Sequence, residues 1–135
     1  IDGTLKSNVA LGYDEKEIDK DKVLNCLKLS GLKEFLKSIN FNLNFKLGEE
    51  GKLISAGQKQ RICIARALYD SPSILILDEA TSSLDKSTEI EILDNLLSKK
   101  DGITKIIVTH RDIAKSYCDK ILDLGVGKLK LKNNK

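Results

Sequence analysis

Methionine is absent from all 135 residues and the chain opens on Ile1, so this end reads as a fragment boundary rather than a native start. No basic leader followed by an apolar stretch marks a secretory signal, and no apolar run approaches the roughly 18 residues that suggest a membrane span. Cysteine is scarce. Cys26, Cys63 and Cys118 are odd in number, widely spaced and form no C-x-x-C pair, which argues against a disulfide frame or a zinc site and for reduced thiols in a cytosolic setting. Cys63 is expected in core packing. Charge of one sign is also lacking: the formal net charge is +3, too small to imply a nucleic-acid partner, and none is expected. Lys128, Lys130, Lys132 and Lys135 read as the solvated face of a last strand. Internal repeats and low-complexity linkers are missing too.

What is present has the composition of one globular domain or part of one, with 41% hydrophobic and 32% charged residues. The first forty residues read as helical: a short helix over Thr4–Leu11, another near Asp19–Leu29, and a third whose stripe is Leu32, Phe35, Leu36 and Ile39 at i, i+3, i+4, i+7. Asn40–Leu53, rich in Asn and Gly, predicts a loop with at most one extended piece. Ser55 and Gln58 form an S-x-x-Q capping box opening a helix to about Tyr69, which Ser71-Pro72 ends. Ile74–Leu77 is an unbroken apolar run, as expected for a strand buried on both faces of a parallel sheet. A helix with Ile90, Leu93, Leu96 and Leu97 on one face follows, capped by Thr88 and Glu91. Then come a strand Ile103–Thr109, a short helix Asp112–Cys118, and strands Lys120–Leu124 and Lys128–Lys132. The alternating order predicts an α/β fold with a mainly parallel sheet, preceded by a helical segment.

Five segments carry the chemistry: Ile54-Ser55-Ala56-Gly57-Gln58, Ile74-Leu75-Ile76-Leu77-Asp78-Glu79, Ser82-Ser83-Leu84-Asp85, His110, and Leu47-Gly48-Glu49-Glu50-Gly51. The first four, in this order and spacing, resemble the signature motif, Walker B strand, D-loop and switch histidine of ATP-binding cassette (ABC) ATPases. The fifth is similar to the loop that exporter-type ABC domains use to contact the coupling helices of their membrane portion. The opening Ile1–Val9 resembles the segment after the glutamine loop of the same exporters, including flippases of lipids or lipid-linked sugars. Ala56 stands where the family more often has glycine and Ile54 where it has leucine. Ala56 contributes mainly its backbone amide, so the cost expected is modest.

The resemblance implies a partial P-loop (RecA-like) ATPase, with residues 1–70 as the helical subdomain and 71–135 as the carboxyl-terminal part of the catalytic core. Open α/β sheets bind ligands beyond the carboxyl ends of their strands. Asp78 is then placed to hold Mg²⁺, usually through water, Glu79 to position the water that attacks the γ-phosphate of ATP, and His110 to hydrogen-bond that phosphate. Ser55, Ala56, Gly57, Gln58 and Asp85 are the nucleotide-binding set, the first three at a helix N-terminus suited to an anion. Arg61 and Arg66 read as structural ion-pair partners. A helix of about 15 residues is about 22 Å long. The expectation is therefore that the signature clamps ATP held by a second, head-to-tail nucleotide-binding domain.

No Walker A sequence, G-x-x-x-x-G-K-[ST], precedes these motifs, so the nest and lysine that hold the β- and γ-phosphates are missing and the chain alone is expected to be inactive. Gly125-Val126-Gly127-Lys128 is a decoy: Leu122 and Leu129 break the pattern, a strand follows, and a hairpin turn is the better reading. The implied whole is the ATPase domain of an exporter, working with a transmembrane domain at the cytoplasmic face of the plasma membrane. A non-transport ABC ATPase for DNA repair or translation and an inactive interaction module are the alternatives.

Overall fold

A computed structural model of the chain describes residues 2–98, 101–123 and 130–133. Local caps decide where most helices begin. Thr4 and Ser7 bond each other's backbone amides ahead of α1 (Leu5–Val9), and the Asp19 carboxylate accepts from the amides of Asp21 and Lys22 to open α2 (Lys20–Leu29). Helix α3 (Lys33–Ser38) follows Gly31, which turns the chain at φ +73°. Helix α4 (Ala56–Tyr69) opens on the expected reciprocal pair, Gln58 N to Ser55 Oγ at 3.1 Å and Ser55 N to Gln58 Oε1 at 2.8 Å. It stops at Asp70, ahead of Pro72, whose ring disfavours the right-handed helical region for Ser71; Ser71 takes φ +50°.

The extended piece expected between Asn40 and Leu53 is real. Leu5 N bonds Phe45 O at 2.8 Å, Lys6 N bonds Leu43 O at 3.0 Å, and Leu47 N bonds Gly3 O at 3.1 Å, which ties this loop to the start of the chain. A single 3-10 turn, Glu49–Gly51, follows it.

Strand β1 (Ile74–Asp78) pairs in parallel with β2 (Thr104–Val108), in the register Ile74↔Thr104 to Asp78↔Val108, and α5 (Lys86–Leu97) makes the crossover between them. After a 3-10 helix, Asp112–Tyr117, where a short helix was expected, β3 (Lys120–Asp123) pairs antiparallel with β4 (Lys130–Asn133) in a separate two-stranded sheet. The hairpin turn read at Gly125–Lys128 and the side chains of the terminal lysines lie outside the described residues.

Two apolar clusters share α4. Ile62, Ala65 and Tyr69, at i, i+3 and i+7, face a cluster with Leu5, Val23 and Leu27; Ile64 faces another with Leu75, Leu77 and Ile92, and Leu68 touches both. Burial of each Leu, Ile or Val side chain here contributes about 1.5–3 kcal/mol before entropy is set against it. Cys63 falls between the two stripes and is exposed, so the expectation that it packs in the core is corrected by the helical phase.

Strand β1 also departs from expectation. Leu75 and Leu77 are buried, but Ile74 and Ile76 are 57% and 63% exposed, and Ile106 and Val108 on the paired strand share that open face. An unbroken apolar run predicts cover on both faces; the described residues supply it on one.

Helix α5 starts earlier than its apolar stripe suggested. Asp85, not Thr88, is the N-cap, accepting from Thr88 N at 3.0 Å, Thr88 Oγ1 at 2.7 Å and Ser87 Oγ at 2.6 Å. The hydroxyl of Thr88 serves that cap instead of being one. The hydrogen bond from Ser87 and the two from Thr88 hold the Asp85 carboxyl well below the usual carboxylate range.

Two measurements check this account. In the 135-residue chain, Leu77→Ala is expected to lose about 2–5 kcal/mol in urea denaturation, whereas Ile76→Ala stays within about 0.5 kcal/mol; equal losses would contradict one-sided burial. Because the folded pKa of Asp85 is depressed, its stabilisation is present above the ordinary carboxylate pKa, about 4, and fades as pH falls below that value. The stability gap between the parent chain and Asp85→Ala is therefore expected to narrow from pH 7 to pH 3, and a gap independent of pH would remove the charged cap.

Candidate functional site

The parallel register puts Asp78 beside Val108, so the residues after each strand meet at one edge of the sheet. Glu79 N donates to Val108 O at 2.9 Å, and Glu79 sits at φ +46°, a left-handed conformation uncommon for a side chain of its size. That turn swings the chain off the strand. It leaves Glu79 Oε1 buried without a hydrogen-bond partner, 3.5 Å from Nε2 of His110, whose own side chain is 98% exposed. At 3.5 Å the two are neighbours but not a well-formed hydrogen bond. An orphaned carboxylate oxygen beside an open imidazole is a pair with unused capacity for a ligand.

Asp78 continues the alternation of Ile74 and Ile76 on the open face of β1, and its carboxylate is exposed. Among the described residues no group of three or more His, Cys, Asp or Glu side chains is arranged to hold a metal. One exposed carboxylate next to an unpartnered one still fits Mg²⁺, which is commonly held by one or two carboxylates with phosphate oxygens and water.

The signature residues stand at the start of α4. Ser55 and Ala56 are exposed, Gly57 and Gln58 half-buried. The first intrahelical bond runs from Lys59 N to Ser55 O at 2.9 Å, so the amides of Ala56 and Gly57 have no partner within the helix. Gly57 is closely approached: a Cβ there would lie 3.4 Å from Leu84 Cδ2.

That contact revises an expectation. The length of α4 suggested that its first turn lies far from Asp78-Glu79, but β1 runs back antiparallel to the helix and returns its carboxyl end alongside the first turns. Gln60 Nε2 donates to Glu79 O at 3.3 Å, and the Ser83 hydroxyl donates to Gln60 Oε1. Helix length therefore gives no argument for a second subunit.

Three sequence assignments take a different form in space. Asp85 uses both oxygens on the α5 cap described above. Arg61 and Arg66 are structural, as read, but bond carbonyls in place of acids: Arg61 to Gly57 O at 3.2 Å and Gly31 O at 2.6 Å, Arg66 to Asn8 O at 2.7 Å. Gln60, Glu89 and Arg111 were not singled out in the sequence. Arg111 follows His110 directly and is paired with buried Glu89 at 2.6 Å, a contact between residues 22 positions apart that no local pattern announces.

Comparison with known proteins identifies the family. The family model described as ABC transporter matches residues 4–82, more than half of the chain. The chain is 38% identical over 127 residues to ABC transporter B family member 17 of Arabidopsis thaliana, covering 94% of this chain and 10% of that protein. It is 41% identical over 120 residues to Multidrug resistance protein 1 of Entamoeba histolytica, covering 88% and 9%. A putative export ATP-binding/permease protein of Rickettsia bellii is 38% identical over 125 residues, covering 93% and 21%. Among solved structures, a bacterial Atm1-family ABC exporter with ATP bound superposes with a TM-score of 0.81 at 32% identity, covering 98% of this chain and 23% of that one. The chain thus spans about a tenth to a fifth of the curated relatives it matches. With the family model over residues 4–82 and relatives above 30% identity across nearly its whole length, the chain belongs to the ABC transporter family.

Proposed function

We propose that this chain is the carboxyl-terminal part of the nucleotide-binding domain of an ABC exporter, which couples ATP binding and hydrolysis to transport across a membrane. The observation that carries the reading is the meeting of Glu79 and His110 at the carboxyl ends of β1 and β2, with the partnerless Oε1 of Glu79 turned toward the imidazole. Residues 1–70 act as the helical subdomain and 71–135 as catalytic core, a division supported by the two apolar clusters. No helix among the described residues is long and apolar enough to cross a membrane. On this reading the transmembrane domain is a partner or another part of the same protein, and this chain works at the cytoplasmic face of the plasma membrane. The relatives named for export support this assignment; lipids or lipid-linked sugars are the substrate class that the opening segment favours.

In the reaction, Glu79 accepts a hydrogen bond from the attacking water and aligns it on the γ-phosphate. His110, open to solvent, donates to a γ-phosphate oxygen and so senses whether that phosphate is present. Asp78 would hold Mg²⁺, which when bound neutralises charge on the β- and γ-phosphate oxygens. The amides of Ala56 and Gly57, with Ser55 and the dipole of α4, offer donors to a γ-phosphate presented by a second nucleotide-binding domain. Gln58 fixes that turn, and Asp85 caps the first turn of α5. The β-phosphate cradle is absent from this sequence, so the chain alone is inactive on this reading.

Glu79→Gln in the full-length protein is expected to retain ATP and Mg²⁺ binding while single-turnover hydrolysis falls by on the order of 10². Asp78→Asn should instead weaken metal binding, seen as a raised Mg²⁺ concentration for half-maximal rate. Unchanged hydrolysis in Glu79→Gln would remove the residue from this role. Gly57→Asp, which sets a carboxylate against the γ-phosphate, should spare ATP binding by a separated domain but weaken ATP-driven dimerisation in size-exclusion chromatography; parental dimerisation would remove the clamp.

A further inference from the structure

Glu89 is 2% exposed, and both of its oxygens are used. Oε1 accepts from Thr81 Oγ1 at 2.9 Å and Oε2 from the Arg111 guanidinium at 2.6 Å. Arg111 then reaches back across the turn between β1 and α5, donating to Leu84 O at 3.1 Å and Ser82 O at 2.6 Å. Three of the four residues from Thr81 to Leu84 are thereby gripped by one ion pair, Thr81 by Glu89 and Ser82 and Leu84 by Arg111, the residue following His110. The same turn is continuous with Glu79, whose carbonyl accepts from Ser82 N at 3.1 Å.

Glu89 is buried but the Arg111 side chain is 36% exposed, and such a pair is weak evidence for stability, because desolvation of the carboxylate offsets much of the attraction. What it does well is fix geometry, and the forked guanidinium suits it to hold several acceptors at set angles. Here the acceptors belong to the loop after the Walker B strand, while the donor belongs to the strand end that carries the switch histidine. We propose that Arg111 and Glu89 are positioning residues for ATP hydrolysis: their clamp sets the Thr81–Leu84 turn against the end of β2 and so fixes the spacing between Glu79 and His110. The inference rests on the reading of Glu79 as the residue that orients the attacking water.

Arg111→Lys keeps a charge for Glu89 but, with a single nitrogen, cannot span the carboxylate and both carbonyls. In the full-length protein its single-turnover hydrolysis at saturating ATP is expected to fall about 10-fold or more, a scale that fits a displaced catalytic group, with ATP affinity within about 2-fold of the parent. Added to Glu79→Gln, Arg111→Lys should cause no further loss, since it acts through Glu79. Glu89→Leu/Arg111→Met removes the charges together, so the thermal midpoint should hold while hydrolysis falls.

A parental rate in Arg111→Lys beside a slow Glu79→Gln overturns the clamp alone, as does a loss that multiplies with that of Glu79→Gln. Unfolding in both Arg111 variants would make the network a stability element and overturn it as well. A parental rate in Glu79→Gln itself defeats the reading of Glu79 and takes the clamp with it.

Discussion

The parallel ladder between Ile74–Asp78 and Thr104–Val108 is the constraint on which the site depends. Parallel pairing requires a crossover, here α5, and it brings two carboxyl ends to the same edge. Asp78 and Val108 are directly opposed, so the next residues on each strand, Glu79 and then Thr109 and His110, have no choice but to leave the sheet together. A slip of one residue would turn Leu75 and Leu77 out of the core and Ile76 into it. The cluster of Ile64, Leu75, Leu77, Ile92 and Leu96 therefore sets the register, and the register sets the site.

Helix α4 extends that constraint to the signature turn. It packs one stripe against the helical cluster and another against the sheet cluster, so its first turn cannot move relative to either without breaking apolar contacts. Gln60 ties the helix to the carbonyl of Glu79 and to Ser83, and Leu84 lies against Gly57. The first turns of α4 and the sheet edge that carries Glu79 are thus joined by a short chain of contacts.

The open face of β1 and β2 is the other consequence of the fold. Ile74, Ile76, Ile106 and Val108 form a row of exposed apolar side chains on a two-stranded sheet. Asp78 shares this face, so a partner covering the isoleucines would also lie close to the carboxylate proposed to hold Mg²⁺. The match with the Atm1-family structure covers 98% of this chain and 23% of that one.

Sequence alone determined the features whose causes are local. The Ser55–Gln58 box, the Asp19 cap, the stop at Ser71-Pro72 and the order of helices and strands follow from neighbours within four residues, and the motif spacing was enough to recognise the family. Misreadings came where a local signal had a rival. Thr88 resembles a cap but serves Asp85, and Cys63 resembles a core residue but falls outside both buried stripes of α4. Tertiary structure alone decided the rest, because those contacts join residues far apart in the chain. The return of β1 alongside the first turns of α4, the burial of only one face of the strand, the 3.5 Å approach of His110 to Glu79, and the bridge from Arg111 to Glu89 all depend on how a parallel pair and its crossover pack against one helix, which no window of sequence contains.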